Sequence, residues 1–140
     1  MLATYHAHTT FCDGRDTPDA MADAAFAAGY RVLGFSAHAP VPVPSPGNLS
    51  PDRVEPYAAA VRAAAARYEG RMEILTGLEI EWVPGLGIPP EDGYAAVPID
   101  YRIGSLHFAR LSGDSFFSVD GPAESFREGV RAGYGGDGTL

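Results

Sequence analysis

The run Leu2–Gly14, LATYHAHTTFCDG, decides how the rest of the chain is read. Its first seven residues suit an extended segment, in which Leu2, Thr4, His6 and His8 share one face. A His-x-His pair in a strand turns both imidazoles to the same side. Two nitrogens can then reach one divalent ion without distorting the backbone. Asp13, on the loop that follows, adds an oxygen donor. Mixed imidazole and carboxylate donors suit Zn, Mn or Fe.

Outward from that run, short apolar strands alternate with helices. Thr17 is an N-cap candidate, Pro18 fits the first helical position and Gly29 fits just past the end. A second strand is expected from Arg31 to about Ser36. The loop APVPVPSPGNLSP follows, and its five prolines exclude regular structure. Ser50 and Pro51 open the second helix. Val54, Tyr57, Ala58, Val61, Ala65 and Tyr68 fall on one face at helical spacing, and Gly70 ends it. A third strand spans Met72 to about Glu79. One helical turn is expected near Glu91, then a fourth strand, Tyr101–His107. A last helix is capped by Asp120 and stopped by Gly133 or Gly135. This alternation indicates an α/β fold with a parallel sheet or barrel.

All four histidines of the chain then fall at the carboxyl ends of strands. His6 and His8 close the first, His38 follows the second and His107 ends the fourth, with Glu79 late in the third. In parallel α/β folds functional sites form at that edge. Each residue also has an ordinary reading. Strand histidines hydrogen-bond at surfaces, and Asp13 and Glu81 suit solvated loops. Convergence on one sheet edge is what favours metal binding. Cys12 reads as a small packed residue, since no basic group is reliably placed to activate it. Trp82, Phe116 and Phe117 read as packing residues. The tail GYGGDG lacks the Lys and Ser/Thr of a phosphate-binding P-loop.

Length and composition set limits. The 140 residues suggest a single domain, 1–140. The one cysteine cannot form an intrachain disulfide, which fits a reducing compartment and a cytoplasmic protein. A net charge of −8 argues against a nonspecific grip on nucleic acid, while leaving room for an anion held locally by metal ions. No apolar run reaches the roughly 18 residues of a membrane span. The N-terminus does not read as a secretion signal.

HAHTTFCDG, GFSAHAP, TGLEIEW and IGSLHF resemble, in order and spacing, the first motifs of the PHP superfamily (polymerase and histidinol phosphatase). TTFCDG and YGGDG are most similar to its histidinol-phosphatase branch. The resemblance implies the first four β/α units of a distorted TIM-like (β/α)7 barrel, incomplete at its C-terminus, with up to three divalent ions (Zn, Mn or Fe) at its mouth. It assigns His6, His8 and Glu79 to a first ion. Glu79 and His107 go to a second, and Asp13 and His38 to a third. Glu79, His107 and Asp13 are the residues expected at the reacting centre. Glu81 matches an acidic position beside the cluster and is not taken as a ligand.

The implied reaction is metal-assisted hydrolysis of a small-molecule phosphate ester, L-histidinol phosphate, in histidine biosynthesis. A PHP phosphoesterase acting on nucleotides or DNA ends is an alternative, as is a non-catalytic metal-binding fragment. The family also draws a later histidine and an Asp-x-His pair from strands beyond the fourth, and no histidine follows His107 here. A closed eight-unit barrel takes about 250 residues. The chain is therefore expected to be the N-terminal part of a longer protein and inactive alone, or else a half-barrel completed by a partner chain or by self-association. Asp137 or Thr139 is expected to begin a further element.

Overall fold

Helix caps and strand pairing place the first unit of the chain largely as its sequence suggests. The computed structural model describes residues 1–42, 45–111 and 115–135. Strands β1 (Leu2–Thr4), β2 (Tyr30–His38), β3 (Glu73–Glu81) and β4 (Tyr101–Ser105) form one sheet in that order. β1 runs parallel to β2, and β2 runs parallel to β3. Helix α1 (Pro18–Ala27) links β1 to β2, and α2 (Pro51–Arg67) links β2 to β3. This is the α/β architecture expected for the opening part of a TIM-like barrel.

The local chemistry is direct. Thr17 Oγ1 accepts the Ala20 N–H at 3.2 Å, Pro18 follows it, and Gly29 takes the left-handed φ of +84° just after α1. Ser50 precedes Pro51 as expected, but its side chain makes no capping hydrogen bond. The buried face of α2 is Val54, Tyr57, Ala58, Val61 and Ala64, with Tyr68 just beyond; Ala65 is only half buried. Steps of four and three residues lead from Tyr57 through Val61 to Ala64, and four more reach Tyr68, which tracks the helical turn.

Strand alternation then sorts the sheet. Leu33, Phe35 and Ala37 of β2, with Ile74 and Leu78 of β3, join the α2 side chains in the apolar core. The intervening positions, Gly34, Ser36 and His38 on β2 and Gly77 and Glu79 on β3, occupy the other face. The register pairs Ser36 with Gly77 and His38 with Glu79.

Several boundaries differ from expectation. β1 stops at Thr4 rather than continuing through His8. Beyond it the chain bends, with the His6 N–H on Thr4 Oγ1 at 3.4 Å, and regains β2 only where Ser36 N–H donates to Ala7 O at 2.9 Å. β2 extends to His38 and β3 to Glu81, so both site residues lie within strands. The turn near Glu91 is not helical. Tyr94 N–H to Glu91 O and Val97 N–H to Tyr94 O close consecutive turns instead.

Two compact units make up the chain. One is Met1–Ile80 with Pro90–Ile103; the other is Glu81–Pro89 with Gly104–Leu140. The second holds an antiparallel pair, β5 (Phe108–Arg110) and β6 (Phe116–Ser118), and helix α3 (Ala123–Tyr134). The fourth strand therefore ends at Ser105, and β5 begins after His107. Phe117 lies against Gly129 of α3, where a Cβ would overlap its ring, and 6.1 Å from Phe126. Asp120 is not the cap of α3. Pro122 holds that position, and Asp120 accepts the Ser118 hydroxyl instead. Gly135, at φ +69°, ends the helix. Asp137, Thr139 and the end of the GYGGDG run lie outside the described residues.

Candidate metal centre

The loop after His8 is a tight knot of backbone bonds. Cys12 N–H and Gly14 N–H both donate to Thr9 O at 3.0 Å, and Thr10 N–H donates to Asp16 O at 3.0 Å. Thr9 is fully buried. Gly14 packs so closely on His8 and Thr9 that a Cβ there would strike their backbone. The knot brings Asp13 back onto the histidine two residues before its own turn begins. His8 Nδ1 lies 2.7 Å from Asp13 Oδ1, and a carboxylate can only accept, so His8 donates its Nδ1–H.

The other nitrogen of His8 faces Glu79. His8 Nε2 and His6 Nε2 are each 3.2 Å from Glu79 Oε2 and 2.9 Å from one another. His38 joins them by register: its Nδ1 is 3.4 Å from Glu79 Oε2, and its Nε2 is 3.5 Å from Asp13 Oδ2. Glu79 is only 2% exposed. Two donor groups result, His6–His8–Glu79 and His8–Asp13–His38, each with ligand atoms within 4.8 Å of one another.

Proton counting tests whether this set fits a metal ion. Five contacts join three imidazoles to the carboxylates of Asp13 and Glu79. A neutral imidazole carries one N–H, so three rings cover at most three of the five. In neutral rings the rest set nitrogen lone pairs against carboxylate oxygens, a repulsion that positive charge relieves, whether a second ring proton or a bound cation. The electrostatics agree. Cys12 Sγ, 3.8 Å from His8 Nδ1, and Asp13 together push the His8 imidazole up to about 9 against the opposing effect of burial. Asp13, at 2.7 Å and fully charged, is the stronger of these partners. Burial raises the Asp13 carboxyl, but His8 and His38 outweigh it and hold it below the usual carboxylate range. The donor set fits a divalent cation.

An unpartnered hydroxyl lies close by on the same strand face. Ser36 Oγ is buried without a hydrogen-bond partner among the described residues, one alternation below His38 and opposite Gly77.

His107 is held within the second unit. Its backbone N–H donates to Glu81 Oε1 at 2.6 Å, and its Nδ1 lies 2.7 Å from Glu81 Oε2, which also accepts the Ser105 hydroxyl at 3.2 Å. Glu81, 3% exposed, therefore fixes the Nδ1–H tautomer, while Nε2 lies 4.0 Å from Asp120 Oδ2. The family pattern sets Glu81 beside the cluster but does not assign it this role. Its spacing of two from Glu79 on one strand was the signal.

A PHP domain model matches residues 4–134. The chain belongs to the PHP family. A Deinococcus radiodurans protein named "Probable histidinol-phosphatase" is 32% identical over 110 residues, which span 76% of this chain and 42% of that one. The Bacillus subtilis "Histidinol-phosphatase" is 28% identical over 139 residues, 91% of this chain and 51% of that one. The crystal structure of a "putative histidinol phosphatase" from Listeria monocytogenes superposes with a TM-score of 0.77 at 21% identity, covering 96% of this chain and 55% of the other. That likeness shows the fold. The chain spans about half the length of the relatives it matches. Among the described residues, no helix is long and apolar enough to cross a membrane.

Proposed function

We propose that His6, His8, Asp13, His38, Glu79 and His107 are donors to a cluster of up to three divalent ions, Zn, Mn or Fe, in a cytoplasmic phosphomonoesterase. The substrate proposed is L-histidinol phosphate, cleaved to L-histidinol and phosphate in histidine biosynthesis. The observation that carries the reading is the convergence of three imidazoles on the carboxylates of Asp13 and Glu79, in more contacts than neutral rings have protons to fill. The names of the two relatives favour histidinol phosphate over other esters.

A bound divalent ion supplies Lewis acidity, which lowers the pKa of water and offsets charge on a phosphoryl group. The chain's own residues do the rest. Glu79 faces His6, His8 and His38 from a buried position. Asp13 orients His8 by taking its Nδ1–H and approaches His38 from the loop. Glu81 orients His107. Glu79, His107 and Asp13 are the residues proposed nearest the reacting phosphate. Such a cluster reconciles an anionic ester with a chain of charge −8, because local cations outweigh distant surface charge.

Three later donors belong to the family pattern and not to these residues, so the 140-residue chain is proposed to bind metal and to hydrolyse little by itself. The test is equilibrium titration of the Mn-loaded chain with L-histidinol phosphate and with a panel of nucleoside monophosphates, before and after chelation. The expected result is metal-dependent binding that favours histidinol phosphate. A preference for nucleotides would overturn the substrate, and failure to retain metal would overturn the cluster.

A further inference from the structure

Two glycines sit inside strands of the first unit, Gly34 on β2 and Gly77 on β3. Glycine within a strand often marks a close approach. Here the approaching group is Tyr101 of β4. A Cβ at Gly77 would overlap its ring, and one at Gly34 would meet its hydroxyl. The side chain thus lies across the sheet face that carries Ser36, His38 and Glu79. Its hydroxyl reaches Tyr5 O at 2.7 Å and Phe35 O at 2.9 Å. The rings of Tyr5 and Tyr101 meet edge to face, with centroids 6.0 Å apart.

The Tyr5 carbonyl matters because of where the ladder stops. β1 ends at Thr4, so His6 and His8 lie on a segment outside the regular strand. Among the described residues, bonds from the sheet to that segment run from Ser36 N–H to Ala7 O and from Tyr101 O–H to Tyr5 O, the nearer of the two carbonyls that compete for its one proton. The first is a backbone bond that any residue at position 36 except proline supplies. The second depends on one side chain, from a strand three places away in the sheet.

We infer that Tyr101 is a positioning residue for the His6–His8 pair, acting through the Tyr5 carbonyl from a seat that Gly34 and Gly77 leave open. The inference rests on the metal-binding reading of those histidines. Tyr57 provides an internal contrast. Its hydroxyl also bridges β2 and β3, donating to Gly77 O at 2.8 Å and accepting Ala37 N–H at 3.3 Å, but it comes from α2 and both bonds go to strand backbone rather than to the His6–His8 segment.

The test measures Zn2+ affinity of the 140-residue chain by competition with a chromogenic chelator. The proteins are wild type, Tyr101→Phe, Tyr57→Phe, His6→Ala and the Tyr101→Phe/His6→Ala double variant, with metal-free melting recorded for each. Tyr101→Phe keeps the ring and should weaken binding roughly tenfold, the scale seen when a group orienting a ligand is removed. Tyr57→Phe should lower the melting temperature and leave affinity within about twofold. In the His6→Ala background, Tyr101→Phe should add little.

Equal affinity for wild type and Tyr101→Phe overturns the inference, as does the same loss in the presence and absence of His6. Failure of the wild type to bind Zn2+ overturns the metal reading instead. A measurement independent of variant folding is the NMR spectrum of the wild type. Zn2+ should shift the Tyr101 ring resonances and leave those of Tyr57 in place. An unmoved Tyr101 signal on saturation counts against the inference.

Discussion

Glu79 and Glu81 stand two residues apart on β3, and both are almost fully buried, yet their surroundings differ in kind. Glu81 faces a backbone N–H, an imidazole N–H and a hydroxyl, all of which can donate to it. Glu79 faces three imidazole nitrogens, and neutral rings cannot place protons on all of them while His8 and His38 also donate to Asp13. A buried carboxylate supplied with donors is a scaffold. One crowded by imidazole nitrogens has surroundings that a cation would relieve. Residue type and burial do not separate the two roles, and proton counting does.

The contrast should break most sharply on substitution of Glu79. Glu79→Ala is expected to reduce bound metal to background after loading and desalting, read by elemental analysis. Retention of stoichiometric metal would remove the distinction between the two acids. Glu81→Gln should have an intermediate effect of another character. It replaces a charge-assisted acceptor of the His107 ring, so melting should show a loss of about 1–3 kcal/mol. Metal affinity should fall about tenfold, because His107 loses its orienting partner. A change in stability with no change in affinity would reduce Glu81 to a purely structural acid. The smallest effect is expected far from both acids. Thr17→Ala removes the cap of α1, costs about 1 kcal/mol and should leave metal affinity unchanged.

Much of this was legible in the chain because it is written locally. Thr17, Pro18 and Gly29 bound α1, and the apolar spacing of α2 found its buried face to within one alanine. The spacing of His6, His8 and Asp13 pointed to a common site, and the loop knot places Asp13 against His8. What escaped depends on distant partners or on very short elements. β5 and β6 are three residues each, too brief for alternation to announce them. Asp120 had the chemistry of a cap, but the Ser118 hydroxyl engaged it two residues before the helix position taken by Pro122. The reach of Tyr101 to Tyr5 spans 96 positions, and only the unexplained glycines at 34 and 77 hinted at it.

The central claim is that the lone pairs around Glu79 and Asp13 await a metal ion. It is tested most directly by X-ray absorption at the Zn edge of the loaded, desalted 140-residue chain. The account predicts a shell of nitrogen and oxygen donors with the multiple scattering of more than one imidazole, lost in Glu79→Ala. Zinc that washes out on desalting, or that binds without imidazole scattering, would contradict it.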